Sequence, residues 1–447
     1  MRRKRKISGR KITGRKNQQG VIITLVAVFM LFVIGAMAAL SIDVVTLYTA
    51  RSEAQLAADA AALAGARVLA NSGMTSSTAG PAGAEDLARK IATQVAANNP
   101  VGGRNLIPGG PCAVGTEISV CFNDGAATFA TDPHVTVAVQ RADLPTFFAR
   151  IWGTMKVTVA ASATAEAYNP SGANALDGTT TPVAPMCVKP WLLPNMDPTL
   201  GGTTIFDPVT GAITNTTTLL GWESPNLIAA TRLSTACPGG CTGALPAPAP
   251  WKYYPGDPLT SFPPPTVALP TCSQIPTPQP YQYSVAGCIQ TPIACNSTVN
   301  IDTTAYATRD TETVEAVNCL THSNANGGDT VDPNYGPPNS PFEFLAGNDN
   351  PITGLSPHDV MVSDSLVTVP VFDSRGGAVN PVAIIGFVQL FMNPDGQKAP
   401  LPPIPPPYAG TLMTTVINMA GCGTNAAGTP ILGNGPSPVA VRLISPP

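Results

Sequence analysis

The sequence predicts an α+β protein with a single N-terminal transmembrane helix that continues into an extracytoplasmic helix, followed by a small α+β unit and a Pro/Cys-rich, mostly β region. Three observations support this. An uncharged apolar run occupies residues 21–42, an alanine-rich segment without proline follows it, and period-two strand patterns recur later among 48 prolines and 41 glycines in 447 residues. We expect a basic tail (1–20), a transmembrane helix (21–42), an N-terminal α+β domain (43–168), a Pro/Gly/Cys-rich region (169–340) and a β-rich C-terminal domain (341–447).

Residues 21–42 are long enough to cross a bilayer. As a helix they extend about 33 Å. Nine of the 24 basic residues lie between Arg2 and Lys16, and the first acidic residue is Asp43. A basic tail could bind nucleic acid, but its place directly before an apolar run favours membrane topology. We therefore expect a cytoplasmic N-terminus, an extracytoplasmic body and no nucleic-acid partner.

A cleaved signal peptide is the alternative for this segment, since Ala36, Met37 and Ala38 form an A-x-A pattern. The apolar run continues past that pattern through Ile42 and enters a helical segment without a break. The sequence therefore favours an uncleaved anchor.

The segment from Asp43 to Ala70 is strongly helical in composition. Small and apolar residues recur on one face at steps of three and four, namely Leu47, Ala50, Ala54, Ala57, Ala61 and Ala64. We expect the anchor and this segment to form one helix of about 49 residues. Its small-residue face suits close packing against another helix or a sheet.

The remaining elements of the N-terminal unit follow from local signals. Glu85 and Asp86 begin a shorter helix that ends before Pro100. Strands are predicted at 118–122, 134–141 and 157–165, with a short helix at 144–152 between the last two.

Proline dominates residues 182–280, which we interpret as ordered loops around disulfides or as flexible polyproline II segments. Strand patterns return at 359–371, 382–392, 411–419 and 439–444. These four strands are expected to form a second, mostly β domain.

All ten cysteines follow the apolar run, which predicts a disulfide set in an oxidising compartment. Metal binding is the alternative, but the three histidines lie away from the tight pair Cys237 and Cys241, and no C-x-x-C motif occurs. The local pairings we expect are Cys112 with Cys121 and Cys237 with Cys241.

Residues 18–66 resemble the N-terminal signature of TadG-like proteins of the Flp (tight adherence, Tad) pilus assembly system. The matching features are Gly20, Ile42-Asp43, Tyr48, Arg51 and the block AADAAALAGA at 57–66. Residues 146–165 are also similar, so the resemblance covers about the first 168 residues. It implies a bacterial inner (plasma) membrane protein with a periplasmic body, other Tad/Flp assembly proteins as partners and a possible homo-oligomer.

The candidate interaction or structural residues are Asp43, Arg51, Asp59 and Gly65. Asp43 lies one residue beyond the apolar run, where a hydrated charge would stop the helix from sliding inward. Asp59 is either solvated on an outer face or paired across an interface with Arg51 or Arg67.

The sequence contains no H-E-x-x-H, G-x-S-x-G, Walker A or G-x-G-x-x-G motif, so we expect neither an enzyme nor a cofactor. The oxygen-rich segments 324–334 and 347–350 could bind calcium, although neither fits an EF-hand and polar turns are the simpler interpretation. Two functions remain. The chain is a structural or assembly component of a pilus system, or a membrane-tethered binding module such as an adhesin.

Overall fold

The computed structural model describes most of the chain after the basic tail. The described residues are 16–77, 83–122, 132–171, 181–215, 219–222, 229–230, 244–245, 252–263, 275, 277–289, 291–302, 309–323, 327–337, 340–350, 354, 359–360, 362–375, 378–399, 412–433 and 435–444. The α-helices among them are α1 (Lys16–Asn71), α2 (Ala84–Asn98), α3 (Pro280–Ala286) and α4 (Arg309–Leu320). Short 3-10 turns lie at Met74–Ser76, Ala149–Trp152 and Pro198–Leu200.

Two main sheets contain most of the strands. The bounds are β1 (Ile118–Phe122), β2 (His134–Pro145), β3 (Lys156–Tyr168), β4 (Val183–Ala184), β5 (Trp191–Pro194), β6 (Ala229–Ala230), β7 (Ala244–Leu245), β8 (Lys252–Pro255), β9 (Thr298–Val299), β10 (Thr330–Val331), β11 (Phe344–Leu345), β12 (Asp359–Val360), β13 (Leu366–Phe372), β14 (Ala378–Val379), β15 (Val382–Met392), β16 (Thr414–Gly421), β17 (Ile431–Leu432) and β18 (Ala440–Ile444). Together with the helices they confirm the α+β class.

Helix α1 is continuous from Lys16 to Asn71, which confirms the prediction that the anchor and the alanine-rich segment form one helix. No proline interrupts it, and its interior is rich in strong helix formers. In the part of the chain that the structure describes, this is the one helix long and apolar enough to cross a membrane. The helix extends about 84 Å at 1.5 Å per residue.

The N-terminal sheet is antiparallel, in the order β1-β2-β3-β18. Helices α1 and α2 pack on it and on each other, and buried alanines and valines of the two helices and the sheet form one core. The predicted helix at 144–152 is wrong in its first part, because β2 continues to Pro145 and only a 3-10 turn follows.

Strand β18 departs from expectation. It pairs with β3 from Ala440↔Tyr168 to Ile444↔Thr164, so it completes the N-terminal sheet instead of closing a second β domain. Val441 adds an apolar side chain to the core beneath α1. A local pattern indicates a strand but not its partner, which here lies far away in the sequence.

The second sheet has the order β16-β15-β13-β5-β8-β6, with β9 paired to β15. Strands β5, β6 and β8 come from the proline-rich region, so this sheet crosses the predicted boundary at residue 340. Helices α3 and α4, which the sequence patterns did not reveal, supply Tyr281 and Val317 to its core. The division into domains remains a prediction.

Amide side chains of the second sheet hold the end of α1. Asn418 of β16 donates to the Ala70 carbonyl oxygen at 2.6 Å, and Gln389 of β15 donates to the Asn71 side chain at 3.1 Å. Both amides are buried. They satisfy polar groups at a helix terminus where the backbone carbonyls lack partners within the helix.

Three disulfides are present among the described residues. Cys112–Cys121 confirms the predicted local pairing, and Cys187–Cys288 and Cys295–Cys422 join distant parts of the chain. The predicted pair Cys237 and Cys241 lies outside the described residues.

An ionic group links three strands of the N-terminal sheet. His134 Nε2 lies 3.1 Å from an Asp132 oxygen and 3.6 Å from a Glu166 oxygen, and Glu166 also pairs with Arg442 of β18. The hydrogen bonds to the two carboxylates raise the pKa of His134 to about 9. Glu166 is buried, which alone would raise its pKa, but the His134 and Arg442 cations outweigh that effect and lower it.

The folded state binds the His134 proton more tightly than the unfolded state does. Protonation of His134 therefore stabilises the fold. This stabilisation is complete at a pH below 6.5, the ordinary pKa of histidine, and is lost as the pH rises through about 9, the pKa of His134 in the folded state. We expect this loss to be about 1–2 kcal/mol, after discounting for solvent screening. Urea unfolding of the full chain in detergent micelles at pH 6, 7.5 and 9 measures it, with His134→Gln as the control. Parallel pH profiles for the two chains would contradict the assignment.

Candidate functional site at the membrane-proximal end of the first helix

The apolar part of α1 projects from the rest of the chain. Its large side chains are exposed to the surroundings, among them Leu25, Phe29, Phe32, Ile34 and Leu40. Exposure of an uninterrupted apolar surface is unfavourable in water and favourable in lipid. This arrangement fits a membrane anchor, with the folded body beginning at Asp43.

Asp43 binds the turn between β2 and β3. Its carboxylate accepts backbone N–H groups from Phe147 at 2.9 Å, Phe148 at 3.0 Å and Ala149 at 2.7 Å. The residue is 4% exposed. The carboxylate is enclosed by backbone donors rather than by water, and its role as a stop at the end of the apolar run stays a prediction.

Burial alone would raise the pKa of the Asp43 carboxyl. The N–H donors of Phe147, Ala149 and Phe148 outweigh that effect, so the pKa lies below its usual value. Asp43 is therefore ionised at neutral pH, and its charge strengthens each of these hydrogen bonds.

The alanine face of α1, formed by Ala50, Ala54, Ala57, Ala58, Ala61, Ala62 and Ala66, lies against the N-terminal sheet and α2. Ala57 and Ala61 are fully buried within the chain. The expectation that a small-residue face packs against a helix or a sheet is confirmed. The same contact excludes helices of other proteins from these positions.

Gly65 lies where α1 crosses both β2 and α2. A Cβ atom at this position would be 3.0 Å from Val135 Cγ1 and 3.3 Å from Ala92 Cβ. The absence of a side chain thus permits the close approach of three elements.

Asp59 and Arg51 lie toward the edge of this contact. Asp59 is half-buried and accepts a hydrogen bond from Gln55 at 2.7 Å. Gln55 also donates to the Ser162 carbonyl oxygen of β3 at 3.3 Å, while Arg51 is exposed. Asp59 therefore orients a contact between helix and sheet, which neither sequence-based alternative had described.

These features coincide with a match to a known family. Residues 20–68 match the model of the Tad family, described as "Putative Flp pilus-assembly TadE/G-like". The N-terminal segment is TadE/G-like. This Tad segment contains the exposed apolar part of α1, Asp43, the alanine face and Gly65. Comparisons with curated proteins and with solved structures found no match.

Two groups of side chains have the composition of a metal site. Asp132, His134 and Glu166 lie close enough to hold an ion, but Arg442 already pairs with Glu166, and His134 lies within ion-pair distance of both carboxylates. The arrangement therefore acts as an ionic link between strands.

The described parts of the two oxygen-rich segments, 327–334 and 347–350, lie together. Asp329 accepts hydrogen bonds from the Gly347 N–H at 2.9 Å, the Asn350 amide at 3.1 Å and the Ser363 hydroxyl at 2.5 Å. Hydrogen-bond donors thus surround the carboxylate where a cation would require free oxygen atoms. This favours the polar-turn interpretation.

The turn at 146–155 is the part of the site that sequence reasoning missed. The family resemblance included these residues but assigned them no role. Phe147–Ala149 interact with Asp43 through backbone N–H groups, and backbone donors leave no compositional signal. The turn became recognisable only once β2 and β3 were placed beside α1.

We expect Asp43→Asn to loosen the turn, because an amide has one acceptor oxygen and no charge for three N–H donors. Hydrogen–deuterium exchange of the full chain in nanodiscs should show faster exchange at 147–149. Asp59→Asn on the same helix is the matched control and should leave that exchange unchanged. Equal protection in wild type and Asp43→Asn would contradict the assigned role.

We expect Gly65→Leu to lower the free energy of unfolding by about 1–3 kcal/mol, since the added side chain must displace Val135 or Ala92. Thermal unfolding of the full chain in detergent micelles measures this. Ser52→Leu, on the exposed face of the same helix, should change stability by about 0.5 kcal/mol or less. An unchanged midpoint for Gly65→Leu would show that the three elements do not pack this closely.

Proposed function

We propose that this chain is a non-enzymatic, membrane-anchored structural or assembly component of a Flp/Tad-type pilus system. Residues 21–42 would cross the inner membrane with the basic tail in the cytoplasm, and the body would lie in the periplasm. The observation that carries the proposal is the extent of the Tad match, which includes both the membrane half of α1 and the half that packs on the sheet. The partners proposed are other Tad/Flp assembly proteins, with a homo-oligomer as a further possibility.

The continuity of α1 supports this role. Asp43 attaches the helix to the β2–β3 turn, and Asn418 and Gln389 attach its other end to the second sheet. The helix therefore joins the body rigidly to the apolar segment. Its outward face, which includes Ser52 and Leu56, remains exposed for contact with partners.

A membrane-tethered binding module or adhesin is the second candidate. It is favoured by the large disulfide-linked body beyond residue 68, which the family match does not cover. In that case the helix would only anchor the body, and the second sheet and its loops would recognise the ligand.

Deletion of the gene, with complementation, distinguishes the two functions. We expect the deletion strain to lose sheared surface pilin, and the wild-type chain to restore it. A chain in which an unrelated spanning helix replaces residues 21–42 tests whether these residues serve only to anchor the body in the membrane. Normal surface pili with lost attachment would overturn the assembly role and favour the binding module.

A photoreactive residue at Leu56 tests the contact directly. Leu56 is exposed on α1, and Leu259, which is exposed on the loop after β8, is the control position. We expect Flp/Tad assembly subunits to be captured from native membranes at Leu56 alone. Capture at neither position, with intact protein in the membrane, would contradict contacts through this face.

A further inference from the structure

The turn between β2 and β3, residues 146–155, forms a compact tip. The last strand pair below it is Pro145↔Lys156. Within the tip, the Thr154 N–H donates to the Ala149 carbonyl oxygen at 3.1 Å and the Gly153 N–H donates to the Arg150 carbonyl oxygen at 3.1 Å. We call residues 146–155 the hairpin tip.

Contacts along α1 show which way the hairpin points. Gly65 faces Val135 at the start of β2, Gln55 contacts Ser162 midway along β3, and Asp43 holds the tip. From Asp43 to Gly65 the helix rises about 33 Å. From Val135 to Phe147 an extended chain covers about 40 Å. The hairpin therefore runs beside the helix, with its tip at the end nearest the apolar segment.

The tip exposes apolar and cationic side chains together. Phe147 is 63% exposed and Met155 is 65% exposed, although both belong to a folded unit whose interior is well packed. Arg150 in the tip and Lys156, the first residue of β3 directly after it, are also exposed. Two large apolar side chains exposed on one short turn form the kind of grouped apolar surface that marks a contact with lipid or protein.

The adjoining surface of α1 also exposes large apolar side chains. Val44, Val45 and Tyr48 are exposed in the first turns after Asp43, with Tyr48 at 77%. Tyrosine is enriched where a membrane meets water, because its ring is amphipathic. The apolar surface thus continues from the spanning segment onto the base of the body.

We propose that the hairpin tip lies in the headgroup layer of the bilayer and is a second membrane contact of this chain. Phe147 and Met155 enter the boundary with the acyl chains, and Arg150 and Lys156 lie among phosphate groups of anionic lipids. The occupant of this surface is lipid because Asp43 directly follows the last residue of the span. Its hydrogen bonds hold the tip backbone at the same depth.

Two contacts would restrict the body more than one. A body attached only by a spanning helix can tilt with that helix in every direction. A second contact on one side of the helix removes tilt away from that side and sets which face of the body meets the membrane. This inference requires the span but not a role in pilus assembly.

A photoreactive benzoyl-phenylalanine at Phe147 tests the proposal in the full-length chain. The chain is reconstituted in nanodiscs of phosphatidylcholine and phosphatidylglycerol, and lipid adducts are measured by mass spectrometry. Leu259, 68% exposed on the loop after β8, is the control position. We expect at least about five-fold more lipid adduct at Phe147 than at Leu259, and the same at Met155.

A second experiment tests the two cations by varying the fraction of anionic lipid. Adduct yield at Phe147 should rise with the phosphatidylglycerol fraction, and Arg150→Gln with Lys156→Gln should remove that dependence. Lys252→Gln with Arg375→Gln, at exposed cations elsewhere on the body, is the matched control and should retain it. A dependence unchanged by the tip variants would overturn the assignment of these two cations.

Equal lipid adduct at Phe147 and Leu259 would overturn the proposal. In native membranes, predominant crosslinks from Phe147 to a protein would also overturn it, since the tip would then be a protein contact. Hydrogen exchange at 147–149 is measured on the same samples. Protection equal to that of wild type shows that the probe has not unfolded the tip.

Discussion

The close contact between the alanine face of α1 and the N-terminal sheet is the constraint on which the rest of the structure depends. Alanine side chains are short, so the helix backbone lies near the sheet, and β3 presents its own row of small residues, including Ala163, Ala165 and Ala167. Each alanine buries little area, so the contact stabilises through its length and its packing density. A helix that must also cross a membrane thereby acquires a rigid attachment without bulky side chains.

Hydrogen-bonding side chains hold both ends of this attachment. At the membrane end a carboxylate of α1 accepts backbone N–H groups from the sheet, and at the far end amides of the second sheet donate to the helix terminus. The polarity of each contact suits its place. Asp43 keeps its charge although it is buried, because three backbone N–H groups compensate it, whereas neutral amides serve a buried helix terminus that offers no such cluster of donors.

Local features of the fold were predictable from the sequence. The absence of proline indicated the continuity of α1, the pattern at 382–392 predicted β15 with its observed bounds, and short separation indicated the Cys112–Cys121 pair. Features that depend on contacts between residues far apart in the sequence were not predictable from it. The pairing of β18, the strands within the proline-rich region and the donors around Asp43 all arise from tertiary contacts that local propensity does not encode.

The position of β18 near the end of the described residues affects when the N-terminal sheet can be completed during biogenesis. If the chain is threaded through the membrane from its anchor outward, the membrane-proximal sheet emerges early but lacks its edge strand until residues 440–444 arrive. Until then β3 has an unpaired edge of the kind that recruits other strands or chaperones. The unit nearest the bilayer would therefore be completed after the strands of the second sheet have emerged, and a chain that lacks β18 would display an open edge beside its own anchor, where quality-control proteases could recognise it.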